Sequence, residues 1–216
     1  MPKTTKHLKK IRRKLLAAAL ERAPFEGWSA ATLTHAEKDA GLDPGSAELA
    51  CPKGVVDLID FWAREADKAT RKALGELDLD QMRIRDKVRA GVLARIEAIG
   101  VEHREAARRA ALRLALPDAA PRASRMLWRA SDTIWRGIGD TSTDGNFYSK
   151  RAILSGVLGS TLAVWFEDEA EDKTRAFLDR RVENVMAFEK AKAQARKFGE
   201  GLPDPLGLLA RVRFGR

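Results

Sequence analysis

Three histidines, one cysteine and a run of acids are the residues whose types could do chemistry, and their spacing leaves each without a partner. His7, His35 and His103 lie far apart, none with a second ligand at the helical spacing that puts two donors on one face. Cys51 has neither a CxxC partner nor an adjacent His, so it reads as a small buried residue, and a single Cys fits a reducing compartment. Glu167, Asp168, Glu169, Glu171 and Asp172 suggest an acid site, but at a helix boundary they read as a solvated face with charge favourable to a helix start. No Gly-rich phosphate loop, GxSxG elbow or HExxH occurs. Enzyme activity, a metal and a cofactor are therefore not expected. What remains is a polar, aromatic-bearing stretch from Ser131 to Arg151, where a helix ends near Gly137 and Gly139 and Asp140, Ser142, Thr143 and Asp144 supply acceptors for turns and the next N-cap.

The elements that must position this stretch are helices. Apolar residues recur at spacings of three and four along nearly the whole chain, and strand-type alternation is hard to find, so the fold class is all-α, a bundle of roughly nine or ten helices. Leu8, Ile11, Leu15 and Ala19 share one face of a first helix. A second runs from a Ser29 cap to Gly41, Asp43-Pro44 opens a short third, and Val55, Ile59, Trp62 and Ala66 stripe a fourth that stops at Gly75. Further helices are expected over 80–99 and 102–116, after Pro121, after Tyr148 and over 169–197. Residues 1–54 form a helix-turn-helix head of the TetR-like kind, 55–198 a body and 199–216 a short tail beyond the Gly199-Glu200-Gly201 break. The longest weakly polar run, Ala152 to Phe166, is 15 residues, short of the roughly 20 that cross a bilayer.

Charge argues against DNA reading by this head. The chain carries a net +9, of which residues 1–22 supply +7 from eight Lys and Arg against Glu21. Residues 29–60, in contrast, hold Lys38 and Lys53 against six acids, a net −4, and the expected reading helix, Asp43 to Ala50, offers no base-reading cation or amide. Nucleic acid is not an expected partner, although the basic first helix could still touch phosphates; a TetR-type ligand-responsive regulator is the alternative reading.

The stretch Asp132, Trp135, Gly139-Asp140, Ser142-Thr143-Asp144, Asn146-Phe147-Tyr148-Ser149-Lys150-Arg151 resembles the signature of the coenzyme Q9 family, lipid-binding accessory proteins of ubiquinone biosynthesis. Gly27-Trp28, Ala40-Gly41-Leu42, Cys51-Pro52-Lys53-Gly54, Leu116-Pro117 and Thr174 to Arg181 extend the likeness over roughly residues 8–186. Phe147, Ser149 and Cys51 depart from the family's usual Trp, Thr and aromatic. The resemblance implies a TetR-like fold without DNA binding, a homodimer, an internal pocket for a prenylated quinone or other isoprenoid lipid, and partnership with the di-iron demethoxyubiquinone hydroxylase. Trp135, Asp140, Asp144, Asn146, Phe147 and Tyr148 are carried over as its partner surface, with Trp135 equally able to serve as core.

For the pocket, Met126, Ile134, Ile153, Leu154, Val157, Leu158, Leu162 and Trp165 are expected as lining, interleaved with Gly156, Gly159 and Ser160, which leave room between helices; each also suits ordinary core packing. The family ends in an amphipathic helix, of which Leu206, Leu208, Leu209, Arg211, Val212, Arg213 and Phe214 form a shorter version able to insert in a membrane surface, or a frayed tail. Helical periodicity begins at Leu8, leaving too little before the fold for a cleaved leader. The expected setting is cytoplasmic and bacterial, peripheral to the inner membrane.

Overall fold

The computed structural model describes the backbone of residues 3–143 and 145–200 and the side chains of residues 6–143 and 147–187. Nine α-helices and one 3-10 turn account for the secondary structure of the described residues, with no strand, as the periodicity requires. Their order is α1 (Lys3–Glu26), α2 (Ala30–Asp39), α3 (Ser46–Ala50), α4 (Val55–Gly75), α5 (Ile84–Glu97), the 3-10 turn Val101–His103, α6 (Arg104–Leu114), α7 (Ala120–Gly137), α8 (Gly145–Trp165) and α9 (Asp172–Glu200).

Helix α1 buries Ile11, Leu15 and Ala19 on the expected stripe. Ser29 caps α2 by accepting a hydrogen bond from the Thr32 amide at 3.2 Å. Helix α3 begins later than Asp43-Pro44 suggests. Gly45 stands at its N-cap with φ +87°, a left-handed conformation that favours glycine, and the Glu37 carboxylate accepts from the Ala47 amide at 2.7 Å. The cap thus comes from a residue on α2, ten positions away, which no local signal in residues 43–46 announces.

Two clusters of buried side chains divide the interior. One joins α1 to α4 with Ala106, Ala110 and Ala119; the other joins α5 to α9, and Trp62 of α4 packs against both. Trp28 ties the first to α6 by donating from Nε1 to the Ala106 carbonyl at 2.8 Å while stacking on Trp62 at 5.9 Å. Cys51 sits in the first cluster, and burial pushes its thiol up to about 11. A thiol reagent at pH 8 is therefore expected to modify the native protein at least about a hundredfold more slowly than the urea-unfolded chain; equal rates would contradict the burial.

Several acids of residues 29–60 are tied to cations, while Asp43 and Glu48 stand exposed. Asp39 pairs with Arg22, Asp57 with Arg122 of α7, and Asp60 with Arg129 of α7 and Arg64. On α1, Arg12 donates from Nε to the Ala50 carbonyl at the end of α3, and Arg13 pairs with Glu65. Part of the −4 of residues 29–60 and of the +7 of residues 1–22 is thus engaged in contacts between helices.

Candidate functional site

Between α4, α5, α6, α7 and α8 the helices leave a cavity of about 420 Å³. Its walls are alanines to an unusual degree: Ala63 and Ala66 from α4, Ala107, Ala110 and Ala111 from α6, Ala120, Ala123 and Ala130 from α7. A bundle packed to ordinary density fills such positions with leucines; here the short side chains keep five helices apart, and Trp62, Ile99, Met126, Leu127, Leu158, Leu162 and Phe166 close the gaps. Ala111, Ala115 and Ser124 are solvent-exposed and mark the mouth, whereas Ala66, Ala107, Met126, Ala130 and Leu158 are buried and mark the interior. Ser124 and Arg95 are the two polar side chains of the lining.

Of the eight residues expected to line a pocket, the structure brings Met126, Leu158 and Leu162 together here. Ile134 is fully buried against Gly91 of α5, where a Cβ would lie 2.4 Å from Ile134 Cγ2, so it packs α7 closely on α5 and does not border this cavity. Leu154 packs in the core, Trp165 lies wholly buried beneath the Arg104 guanidinium at 5.1 Å, and Ile153 and Val157 face α9, where they border a separate recess of about 330 Å³. Sequence reasoning missed the alanines of α4, α6 and α7. Their signal was present as Ala at spacings of three and four, Ala107-Ala110-Ala111 and Ala120-Ala123, but alanine in a helix reads the same whether its neighbour is close or distant.

One charged residue of the lining, Arg95, belongs to a buried ion cluster behind the cavity wall. Asp60 and Asp67, both buried on α4, meet Arg129 of α7 at 2.8 and 2.7 Å, and Arg95 of α5 stands 3.4 Å from Asp67. Burial pulls the Arg95 guanidinium below its ordinary pKa, Asp67 raises it, and Arg129 lowers it again.

The expected partner surface divides into a clamp and an exposed patch. Arg151, 1% exposed at its side chain, donates to Asp132 at 2.8 Å, to Asp140 at 3.0 Å and to the Phe147 carbonyl at 3.2 Å, and its guanidinium lies 3.6 Å over the Phe147 ring. Lys150 donates to Asp140 at 2.6 Å, and Trp135 donates from Nε1 to the Lys150 carbonyl. Burial raises Asp140, and the hydrogen bonds from Lys150, Ser142 and Arg151 outweigh it, holding the carboxyl at about 2. Asp140 and Trp135 thus join the end of α7 to the start of α8. Tyr148 is 65% exposed and packs at 6.2 Å against Trp128, an aromatic that the spacing did not single out. Asp144 and the side chain of Asn146 lie outside the described residues, as do Leu206, Leu208, Leu209, Arg211, Val212, Arg213 and Phe214.

Residues 120–189, from the start of α7 into α9, match the COQ9 family model. The ubiquinone biosynthesis protein COQ9, mitochondrial, of Rattus norvegicus is 29% identical over 204 residues, covering 89% of this chain and 64% of the rat protein. The proteins of the same name from Homo sapiens and Bos taurus are each 28% identical over 200 residues, covering 89% of this chain and 63% and 62% of their own length. This chain is similar to COQ9 proteins over most of its length and carries the segment that their family model describes. The COQ9 segment carries both the clamp and the exposed aromatics, while the alanine walls on α4 and α6 lie outside it. The chain spans less than two thirds of these COQ9 relatives. They are mitochondrial proteins of animals, which overturns the expectation of a bacterial, cytoplasmic setting: a basic, acid-poor start and a lone Cys do not distinguish a bacterial cytoplasm from other compartments. Among the described residues no helix is long and apolar enough to cross a membrane.

Proposed function

We propose that this chain is a non-catalytic accessory protein of ubiquinone biosynthesis, which takes a prenylated aromatic into the alanine-walled cavity and presents it to the demethoxyubiquinone hydroxylase. One observation carries the reading: five helices are held apart around an apolar space by residues too short to fill it. Leaving such a space empty costs the contacts its lining would otherwise make, and a hydrocarbon guest restores them. The relatives' name, ubiquinone biosynthesis protein, supplies the pathway. Mass spectrometry of a solvent extract of freshly purified protein is expected to find an isoprenoid or other long-chain lipid at near one-to-one stoichiometry; a protein that purifies dry and takes up none from vesicles would refute the assignment.

The hydroxylase surface is placed at Trp128, Phe147 and Tyr148. Tyr148 is the anchor, because a large ring held out in water gains most from being covered. Tyr148→Ala with Trp128→Ala is expected to lower recovery of the hydroxylase in pull-down by at least tenfold with the melting temperature little changed, and full recovery would move the surface elsewhere. Residues 206–214 are assigned to the membrane surface, their apolar groups inserting while Arg211 and Arg213 meet anionic headgroups. A DNA-reading role has less support, since α3 offers five residues and no cation.

A further inference from the structure

The buried arginine in the cavity wall has donors to spare. Arg95 is 7% exposed, and its Nε and Nη1 make no hydrogen bond among the described residues; the 3.4 Å approach to Asp67 is an ion contact without hydrogen-bond geometry. A buried guanidinium that forgoes its hydrogen bonds is costly, and such groups are ordinarily satisfied. The neighbouring carboxylates leave Nη1 unmet: Asp67 turns Oδ1 toward Nε alone and accepts from Arg129 at 2.7 Å on its other oxygen, and Asp60 faces Arg129 and Arg64. The other side chains of the cavity lining offer no acceptor apart from Ser124, which is exposed at the mouth.

We propose that Arg95 is the recognition point for the polar head of the cavity's guest, and that this head is a neutral oxygen acceptor, a quinone carbonyl or phenol oxygen, carried on the apolar tail. Charge decides between head groups. Arg64, the third cation on Asp60, is 55% exposed at its side chain and screened by water, so the less exposed groups Asp60, Asp67, Arg95 and Arg129 balance two against two, and what Arg95 Nη1 lacks is an acceptor within reach and not a counter-charge. A neutral oxygen supplies the acceptor at no cost in ion desolvation, whereas a carboxylate brings a new charge into an interior that is paired without it. The head then lies inward, at the level of Ala66 and Ala130, and the tail runs toward the mouth at Ala111 and Ala115. This rests on the cavity being a lipid site, as proposed above.

The test is equilibrium dialysis of delipidated full-length protein against three ligands that share one farnesyl tail: a benzoquinone, the plain hydrocarbon and the carboxylic acid, with bound ligand quantified by mass spectrometry. The quinone is expected to bind about ten- to a hundredfold more tightly than the hydrocarbon, the range for a hydrogen bond to a charged group, and more tightly than the acid. In Arg95→Met the quinone falls to the level of the hydrocarbon while hydrocarbon binding is kept; Arg95→Met with Asp67→Asn, which also removes the carboxylate left behind, gives the same result if the single variant folds poorly. Equal binding of quinone and hydrocarbon by the wild-type protein, tighter binding of the acid, or a quinone preference that survives in a folded Arg95 variant overturns the proposal while leaving the cavity reading in place. Failure of all three ligands to bind removes the cavity reading itself.

Discussion

Placing Phe at Ala123 and Leu at Ala111 is expected to abolish lipid carriage while leaving the fold intact. Both alanines line the cavity, one on α7 inside the rim and one on α6 at the mouth, and neither is among the fully buried residues of the core. The added carbons therefore enter the space a tail would occupy. Each apolar carbon removed from water contributes about 0.8 kcal/mol, so displacing one five-carbon prenyl unit forfeits about 4 kcal/mol, close to three decades of affinity. Helix propensity moves against the substitutions by only about 0.5 kcal/mol, and new contacts across the former gap offset it. The double variant should melt within a few degrees of the parent, or above it, while its solvent extract contains less than about a tenth of the parent's lipid. Parental lipid content in a folded double variant would place the guest in a different part of the molecule.

The sequence could not show which face of α8 meets the guest, and the reason is physical. From Ala152 to Trp165 that helix carries no charge and apolar residues on every side, so periodicity identifies a buried helix but assigns no direction to any one residue. In the structure Leu158, Gly159, Leu162 and Phe166 face the cavity, and Ile153, Gly156, Val157 and Ser160 face the recess beside α9. Where a helix is amphipathic the reading went further: Ile11, Leu15 and Ala19 on α1 and Met126 on α7 lie buried, and Ser29 caps α2. Interactions between distant residues were not legible. Asp57 and Asp60, which local counting treats as surface charge, reach Arg122 and Arg129 more than sixty positions away, and Glu37 caps a helix other than its own. The candidate site combines both cases. Its alanines are visible in the sequence, but the emptiness between them is a property of five helices at once.

The clamp around Arg151 carries the largest expected loss of stability. Arg151→Met keeps the apolar stem and removes the fork, leaving Asp140, 6% exposed at its side chain, with Lys150 and Ser142, and Asp132 with Arg136. Removing one member of a buried ion pair costs about 3 to 5 kcal/mol; the partners left behind favour the lower figure. At roughly 2 to 4 °C per kcal/mol for a chain of this size, the melting temperature at pH 7 should fall by about 6 to 12 °C. Arg136→Met is the control, since Arg136 also pairs with Asp132 but is 65% exposed at its side chain, and exposed pairs are worth at most about 1 kcal/mol. The same clamp predicts a pH dependence. Asp140 is held at about 2 in the folded protein against 3.8 ordinarily, so between those values the unfolded chain takes up the proton more readily than the folded one. Its stabilising contribution is complete above pH 4 and is lost as the pH falls toward 2. Asp140→Asn should start less stable at pH 7 and lose less melting temperature than the parent between pH 4 and 2. Parallel pH profiles, or an Arg151 variant no worse than Arg136→Met, would mean that the junction of α7 and α8 is held by packing, and that the Phe147 and Tyr148 rings keep their positions without the clamp.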